Sequence, residues 1–147
     1  MYTAKQSITI AASRDKVWDA LTKPELVKQY FFGTNVESTW KKGAPIRFTG
    51  EWEGKAYEDK GNILEITPGK LLKYNYWSSF SNKADVPENY ANVTYRLVEM
   101  GGNTEFIVEQ DGLDTEEAAR HTESNWASIM QSLRQLLEKG KKGAEVV

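Results

Sequence analysis

The spacing of apolar and polar residues changes period three times along this chain. Tyr2 to Ile10 alternates, with Ala4, Ile8 and Ile10 on one side and Lys5, Ser7 and Thr9 on the other, which predicts a strand with one buried face. Ser13 then caps a short helix in which Val17, Trp18, Ala20 and Leu21 turn inward. The Thr22-Lys23-Pro24-Glu25 stretch breaks it. Pro24 restarts a second short helix, residues 24–29, from the first-turn position that tolerates proline. Tyr30-Phe31-Phe32 follows, closed by Gly33.

Over residues 33–111 the period is two. Ile46, Phe48, Gly50 and Trp52 alternate with Arg47, Thr49 and Glu51, and Glu53-Gly54-Lys55 turns tightly into residues 56–66, where Gly61 is a candidate bulge. Thr67-Pro68-Gly69-Lys70 is a strong turn signal. Leu72, Tyr74 and Tyr76 alternate with Lys73, Asn75 and Trp77, and a polar loop, 78–88, carries Pro87. Val93, Tyr95 and Leu97 then share one face of a strand ending at Met100. Gly101-Gly102-Asn103 turns it into 105–110, with Phe106 and Val108 inward.

The last stretch, 114–138, returns to a helical period. Trp126, Ile129, Met130, Leu133, Leu136 and Leu137 form one stripe, extended backwards by Thr122 and by Ala118 or Ala119. Glu116, Glu117, Arg120, Glu123, Gln131, Arg134, Gln135 and Glu138 occupy the other face. Asp114 or Thr115 caps the start, and Gly140 marks the expected stop. A helix of about 24 residues runs roughly 36 Å, enough to cross a small sheet. Strand, two short helices, five or six hairpin-linked strands and a long amphipathic helix predict an α+β helix-grip fold, a curved antiparallel sheet wrapped around the C-terminal helix. Residues 1–140 read as a single domain and 141–147 as a flexible tail.

With 147 residues the chain has material for one sizeable core. Hydrophobic residues are 39% and charged residues 27%, a globular balance, and no apolar run approaches bilayer length. The first residues have neither the basic start nor the apolar middle of a secretory signal, so a cytoplasmic setting is expected. Cysteine is absent, which excludes disulfides and thiolate metal sites, and a single histidine, His121, excludes a multi-histidine centre. A net charge of −2 argues against a nucleic-acid partner. No phosphate loop, nucleophile elbow or metal-binding spacing occurs, so no cofactor is expected.

Aromatic content changes the picture most. Five Trp, seven Tyr and five Phe exceed what a core of this size needs. Phe48, Trp52, Tyr74, Tyr76, Tyr95 and Phe106 alternate so as to share one sheet face. A buried tyrosine hydroxyl needs a partner, which the water or ligand of a partly polar cavity supplies; tyrosines reaching the sheet edge are the alternative. Leu133, Leu136 and Leu137 read as core, whereas Trp126 and Met130 serve either as core or as adaptable cavity wall. His121, at the edge of the stripe, is either a rim residue or a catalyst in need of a nearby carboxylate. The carboxylates Glu51, Glu53, Glu58, Asp59, Glu65, Glu105 and Glu109 fall mostly on outward phases, which leaves little room for paired acid–base chemistry.

The run Val17-Trp18-Asp19-Ala20-Leu21-Thr22-Lys23-Pro24-Glu25-Leu26 resembles the opening of the SRPBCC (START/Bet v 1-like) superfamily, and within it the activator of Hsp90 ATPase homologue branch. Ile8-Thr9-Ile10 with Ala12-Ser13, the Thr67-Pro68-Gly69 turn and the His121-to-Trp126 helix entry are also similar, so the resemblance covers nearly the whole chain. Two positions depart from it. Tyr30-Phe31-Phe32 stands where the family often has a tryptophan pair, and Asn125 where it commonly has glycine. Both reshape the pocket, so ligand identity does not carry over. The resemblance implies a cavity between sheet and helix that mostly binds small apolar molecules and in a minority of members catalyses reactions such as polyketide cyclisation.

The expected function is therefore binding of a small hydrophobic or aromatic molecule, with Phe32, Phe48, Trp52, Tyr74, Tyr76, Tyr95, Phe106, His121, Asn125, Trp126 and Met130 as its contacts and 30–33 and 78–88 as gates. A chaperone-regulating module is the first alternative, with a chaperone as partner. A cyclase or dehydratase is the second, and it requires an inward carboxylate beside His121 or a tyrosine. The chain is expected as a monomer or weak homodimer.

Overall fold

A computed structural model describes residues 1–79 and 81–146, with the side chains of Trp52 and of 140–146 outside the described set. The chain runs β1 (Tyr2–Ile10), α1 (Arg14–Thr22), α2 (Pro24–Tyr30), β2 (Asn35–Ser38), β3 (Pro45–Trp52), β4 (Lys55–Thr67), β5 (Leu71–Ser78), β6 (Ala91–Met100), β7 (Asn103–Leu113) and α3 (Glu116–Val146). All strands pair antiparallel in one sheet of order β1-β7-β6-β5-β4-β3-β2. Hairpins generate every neighbour except β1, which returns to pair with β7 and frames the sheet against the final helix. This is the helix-grip arrangement the periodicity predicts.

Local chemistry explains the elements. The Ser13 hydroxyl accepts the Lys16 amide at 3.3 Å and Thr115 accepts Ala118 at 3.0 Å, so α1 and α3 start on side-chain caps. Glu53 and Gly54, and again Gly101 and Gly102, have positive φ, the two-residue turn whose twist matches that of the flanking strands. Tyr30 is buried and donates to the Ala20 carbonyl at 2.8 Å, which locks α2 onto α1.

The concave face holds one apolar cluster. Ile10, Val36, Ile46, Ile63, Leu72, Val93, Phe106 and Val108 come from the sheet, Val17, Ala20 and Val27 from the short helices, and Ile129, Met130 and Leu133 from α3. Met130 is 1% exposed and Leu133 0%, so these two are core. The helix also completes β1, an edge strand. Glu123 accepts the Lys5 amide at 3.0 Å and Glu138 the Ala11 amide at 2.8 Å. The sequence puts both carboxylates on the polar face of α3; in the fold, that face's margin supplies the partners that a sheet edge otherwise lacks. The helix continues past the Gly140 stop expected from the sequence, to Val146. The expected flexible tail, 141–147, lies outside the described side chains and, at Val147, outside the described residues.

Strand β4 departs from regular alternation in a way that decides the site. Ile63 pairs with Tyr74 and Glu65 with Lys73, so Leu64 is an extra residue on β4. Every side chain before it changes face relative to those after it. The bulge is therefore at Leu64 rather than at Gly61. Gly61 has a different job: a Cβ there would sit 1.7 Å from the Asn75 carbonyl oxygen, so only glycine lets β5 approach.

Candidate functional site

Under the first half of α3 the sheet and helix do not close completely. They leave a cavity of about 680 Å³, within the range of small-molecule sites. Its apolar wall is built from four elements: Phe31 after α2, Phe48 on β3, Tyr74 on β5 and Trp126 with Ile129 on α3. Phe31 stacks on Phe48 with centroids 6.1 Å apart and meets Trp126 edge-on at 5.9 Å. Phe48 lies 5.6 Å from Tyr74. These are the separations at which ring quadrupoles favour one another, so the wall holds its shape without a ligand. The Trp126 ring nitrogen donates to Gln110 at 3.0 Å, which fixes the indole's orientation in the wall.

The opposite side is polar. Thr34 and Tyr57 share a hydroxyl–hydroxyl hydrogen bond, and the Tyr57 ring lies over Gly50, where a Cβ would come within 2.6 Å of its oxygen. Beside them Asp59 points inward, directly across the sheet from Phe48 on one side and Ser78 on the other. Ser78 hydrogen-bonds its carboxyl, while Oδ1 is buried and has no partner among the described residues. Burial pushes the Asp59 carboxyl above the usual carboxylate range, with the Ser78 hydrogen bond pulling the other way. Burial, with the carboxylate nearby, also pushes the Tyr76 phenol up to about 12. His121, Thr122 and Asn125 form the rim on α3.

A family model described as Activator of Hsp90 ATPase homolog 1-like protein matches residues 11–138, from the end of β1 through most of α3. The chain belongs to this family. Among solved structures, a protein of Cytophaga hutchinsonii determined in solution is 41% identical, covers 97% of each chain and superposes with a TM-score of 0.84. The Aha1 dimer from Colwellia psychrerythraea shares the fold at 21% identity, covering 96% of this chain and 99% of its own, with a TM-score of 0.74. DynU16, from the dynemicin biosynthetic locus, shares it at 18% identity over 94% of this chain and 48% of its own, with a TM-score of 0.78. No curated protein matches the sequence.

Within this family member, the residues expected at the site divide by depth. Phe32, Phe48, Tyr74, Tyr76, His121, Asn125 and Trp126 line the cavity. Tyr95, Phe106 and Met130 do not. They sit one layer further in: Tyr95 packs edge-on against Tyr74 at 5.5 Å, Phe106 at 5.3 Å and Trp126 at 5.7 Å, so it buttresses the wall from behind. The Tyr74 and Tyr95 hydroxyls bond each other at 2.8 Å, and burial pushes both phenols upward. Sharing a sheet face does not put residues at one depth, because the cavity takes up only part of that face. Trp52 is on β3, with its side chain outside the described residues.

Three side chains escape the sequence reading. Asp59, expected outward, is inward because the Leu64 bulge reverses the phase of the strand before it. Tyr57 is inward for the same reason. Phe31 rather than Phe32 supplies the ring that packs inward after α2, half-buried against Phe48 and Trp126. Phe32 takes a left-handed backbone, φ 55°, at the reversal into β2, leaving its side chain 52% exposed at the cavity mouth. The aromatic run signals the segment, but helix period does not extend past Tyr30, so it cannot say which ring turns in.

Proposed function

We propose that this chain binds a small hydrophobic or aromatic molecule in the cavity between the sheet and the first half of α3. The observation that carries the reading is the preformed aromatic wall, Phe31, Phe48, Tyr74 and Trp126, around about 680 Å³ of space. Burial of apolar ligand surface against rings that already hold one another loses little to reorganisation. The polar side would then set orientation. Phe31 and Phe32 stand at the mouth, which fits the gating role expected of 30–33. Of the described residues in the 78–88 loop only Ser78 lines the cavity, and the loop is tied down by Lys60–Asp85 at 2.5 Å and Lys83–Asp114 at 2.6 Å, so 30–33 is the better gate.

A second reading has one observation in its favour. A cyclase or dehydratase needs an inward acid near a tyrosine or histidine, and Asp59 beside Tyr76, with His121 on the opposite rim, meets the first half of that condition. For a chaperone-facing role, suggested by the family's description, a contiguous apolar docking surface would help. Tyr2 and Met100, two of the exposed large apolar side chains, lie instead near opposite ends of β7.

The test is a thermal-shift and tryptophan-fluorescence screen against a broad library of lipids and aromatics. A ligand at a hundred times its Kd adds about 2.7 kcal/mol of stability. Compounds that raise the Tm and perturb emission support the proposal. A library with no effect on either signal removes its support.

A further inference from the structure

We infer that the ligand of this cavity carries a protonated amine on its apolar body, and that Asp59 is the residue that receives it. The inference rests on the binding role proposed above and names the chemistry of what is bound. Asp59 is the one acid among the described lining residues, and no lysine or arginine lines the cavity with it. The nearby cations are engaged elsewhere: Arg47 pairs with Glu58 and Glu37, and Lys60 with Asp85, each of these side chains being substantially exposed. Among the described residues, burial and the Ser78 hydrogen bond, rather than a cation, set the environment of the Asp59 carboxyl.

A carboxyl in this state has an unmet requirement. One oxygen is served by Ser78, and Oδ1 is buried with no donor among the described residues. Leaving a buried acceptor unpaired is costly, and leaving a buried charge unpaired more so. Rotation about χ2, a soft torsion, exchanges the two oxygens, so a single ligand donor arriving from the cavity side satisfies whichever one Ser78 releases. An ammonium supplies both missing elements, donor hydrogens and opposite charge. The surroundings suit the same group. Phe48 is the direct cross-strand neighbour of Asp59, Tyr76 is close enough to sense its charge, and aromatic faces attract cations. An anionic ligand gains nothing from Asp59, and the one basic side chain of the described lining, His121, lies on the α3 rim rather than beside it. A neutral one supplies a donor but no opposite charge.

The experiment compares three probes of one ring system, 1-naphthylmethylamine, 1-naphthalenemethanol and 1-naphthoate, by isothermal titration calorimetry at neutral pH on the full chain and on Asp59→Asn. The expected wild-type order is amine, alcohol, carboxylate, with the amine about tenfold tighter than the alcohol, the step between a charge-assisted and a neutral hydrogen bond. In D59N the amine's advantage should vanish while the alcohol still binds. Equal affinity for amine and alcohol in the wild-type protein overturns the inference and leaves the binding role intact, as does an amine preference that survives in D59N. Binding of none of the three overturns both. The wild-type order alone decides the matter should D59N fold poorly.

Discussion

The depth difference between Tyr74 and Tyr95 makes a quantitative prediction. Their hydroxyls bond each other at 2.8 Å, and the two residues are 3% and 5% exposed, yet only Tyr74 lines the cavity. A Tyr→Phe change keeps the ring, and hence the edge-on contacts of Tyr95 with Tyr74, Phe106 and Trp126, so each substitution isolates the hydroxyl. Tyr95→Phe removes the partner of the hydroxyl on the cavity-lining Tyr74, and should cost about 0.5–1.5 kcal/mol, the net worth of an ordinary hydrogen bond. Tyr74→Phe strands the Tyr95 hydroxyl behind the wall, where an unpaired buried group costs about 1–3 kcal/mol. The double substitution removes both hydroxyls and leaves neither stranded, so it should cost less than the sum, with a coupling on the order of 1 kcal/mol. Urea unfolding of the four proteins measures all three quantities. A larger loss for Tyr95→Phe than for Tyr74→Phe, or strict additivity, would refute the assignment of Tyr95 to the layer behind the cavity.

Three further outcomes follow from the geometry. Leu133→Ala, at a 0% exposed position outside the cavity lining, should cost about 2–5 kcal/mol in chemical denaturation while leaving the affinity of any cavity ligand unchanged. Gly61→Ala puts a methyl 1.7 Å from the Asn75 carbonyl, a backbone atom that cannot step aside, so the β4–β5 pairing should fail and the protein lose its cooperative thermal transition; a Tm within a few degrees of wild type would contradict this. Asp59 has a folded-state pKa raised above 3.8 by burial, so the folded protein holds this proton more tightly than the unfolded chain, and the contribution of Asp59 to stability falls as pH rises from below 3.8 through the raised value. Asp59→Asn has no such proton to lose. Its stability relative to wild type should therefore increase over that window and plateau above it, as read from Tm against pH; a constant difference across the window would sink the argument.

Much of the fold is legible in the sequence because periodicity and turn chemistry act locally. The 126-129-130-133 stripe, the Val93, Tyr95 and Leu97 alternation, and the Gly54, Gly69 and Gly101 turns are each set by a few neighbouring residues. The site is less legible, since it depends on events that a uniform period cannot register. One extra residue at Leu64 turns Asp59 and Tyr57 inward, and a single left-handed residue at Phe32 decides which phenylalanine packs inward. Depth along the concave face, which separates Tyr74 from Tyr95, depends on where α3 lies and not on strand phase. The pairing of Glu123 with a β1 amide and of Glu138 with the amide just after β1 spans 118 and 127 residues, and no local pattern announces it.

The central claim, that the space under the first half of α3 holds a small apolar molecule, is tested most directly by amide NMR of the full chain titrated with 1-naphthalenemethanol. Binding in the cavity should give saturable chemical-shift changes centred on Phe48, Tyr76, Thr122, Asn125 and Trp126, with residues on the outer surface such as Val98 and Met100 unmoved. Changes centred on that outer surface, or none at any concentration the probe reaches, would contradict it.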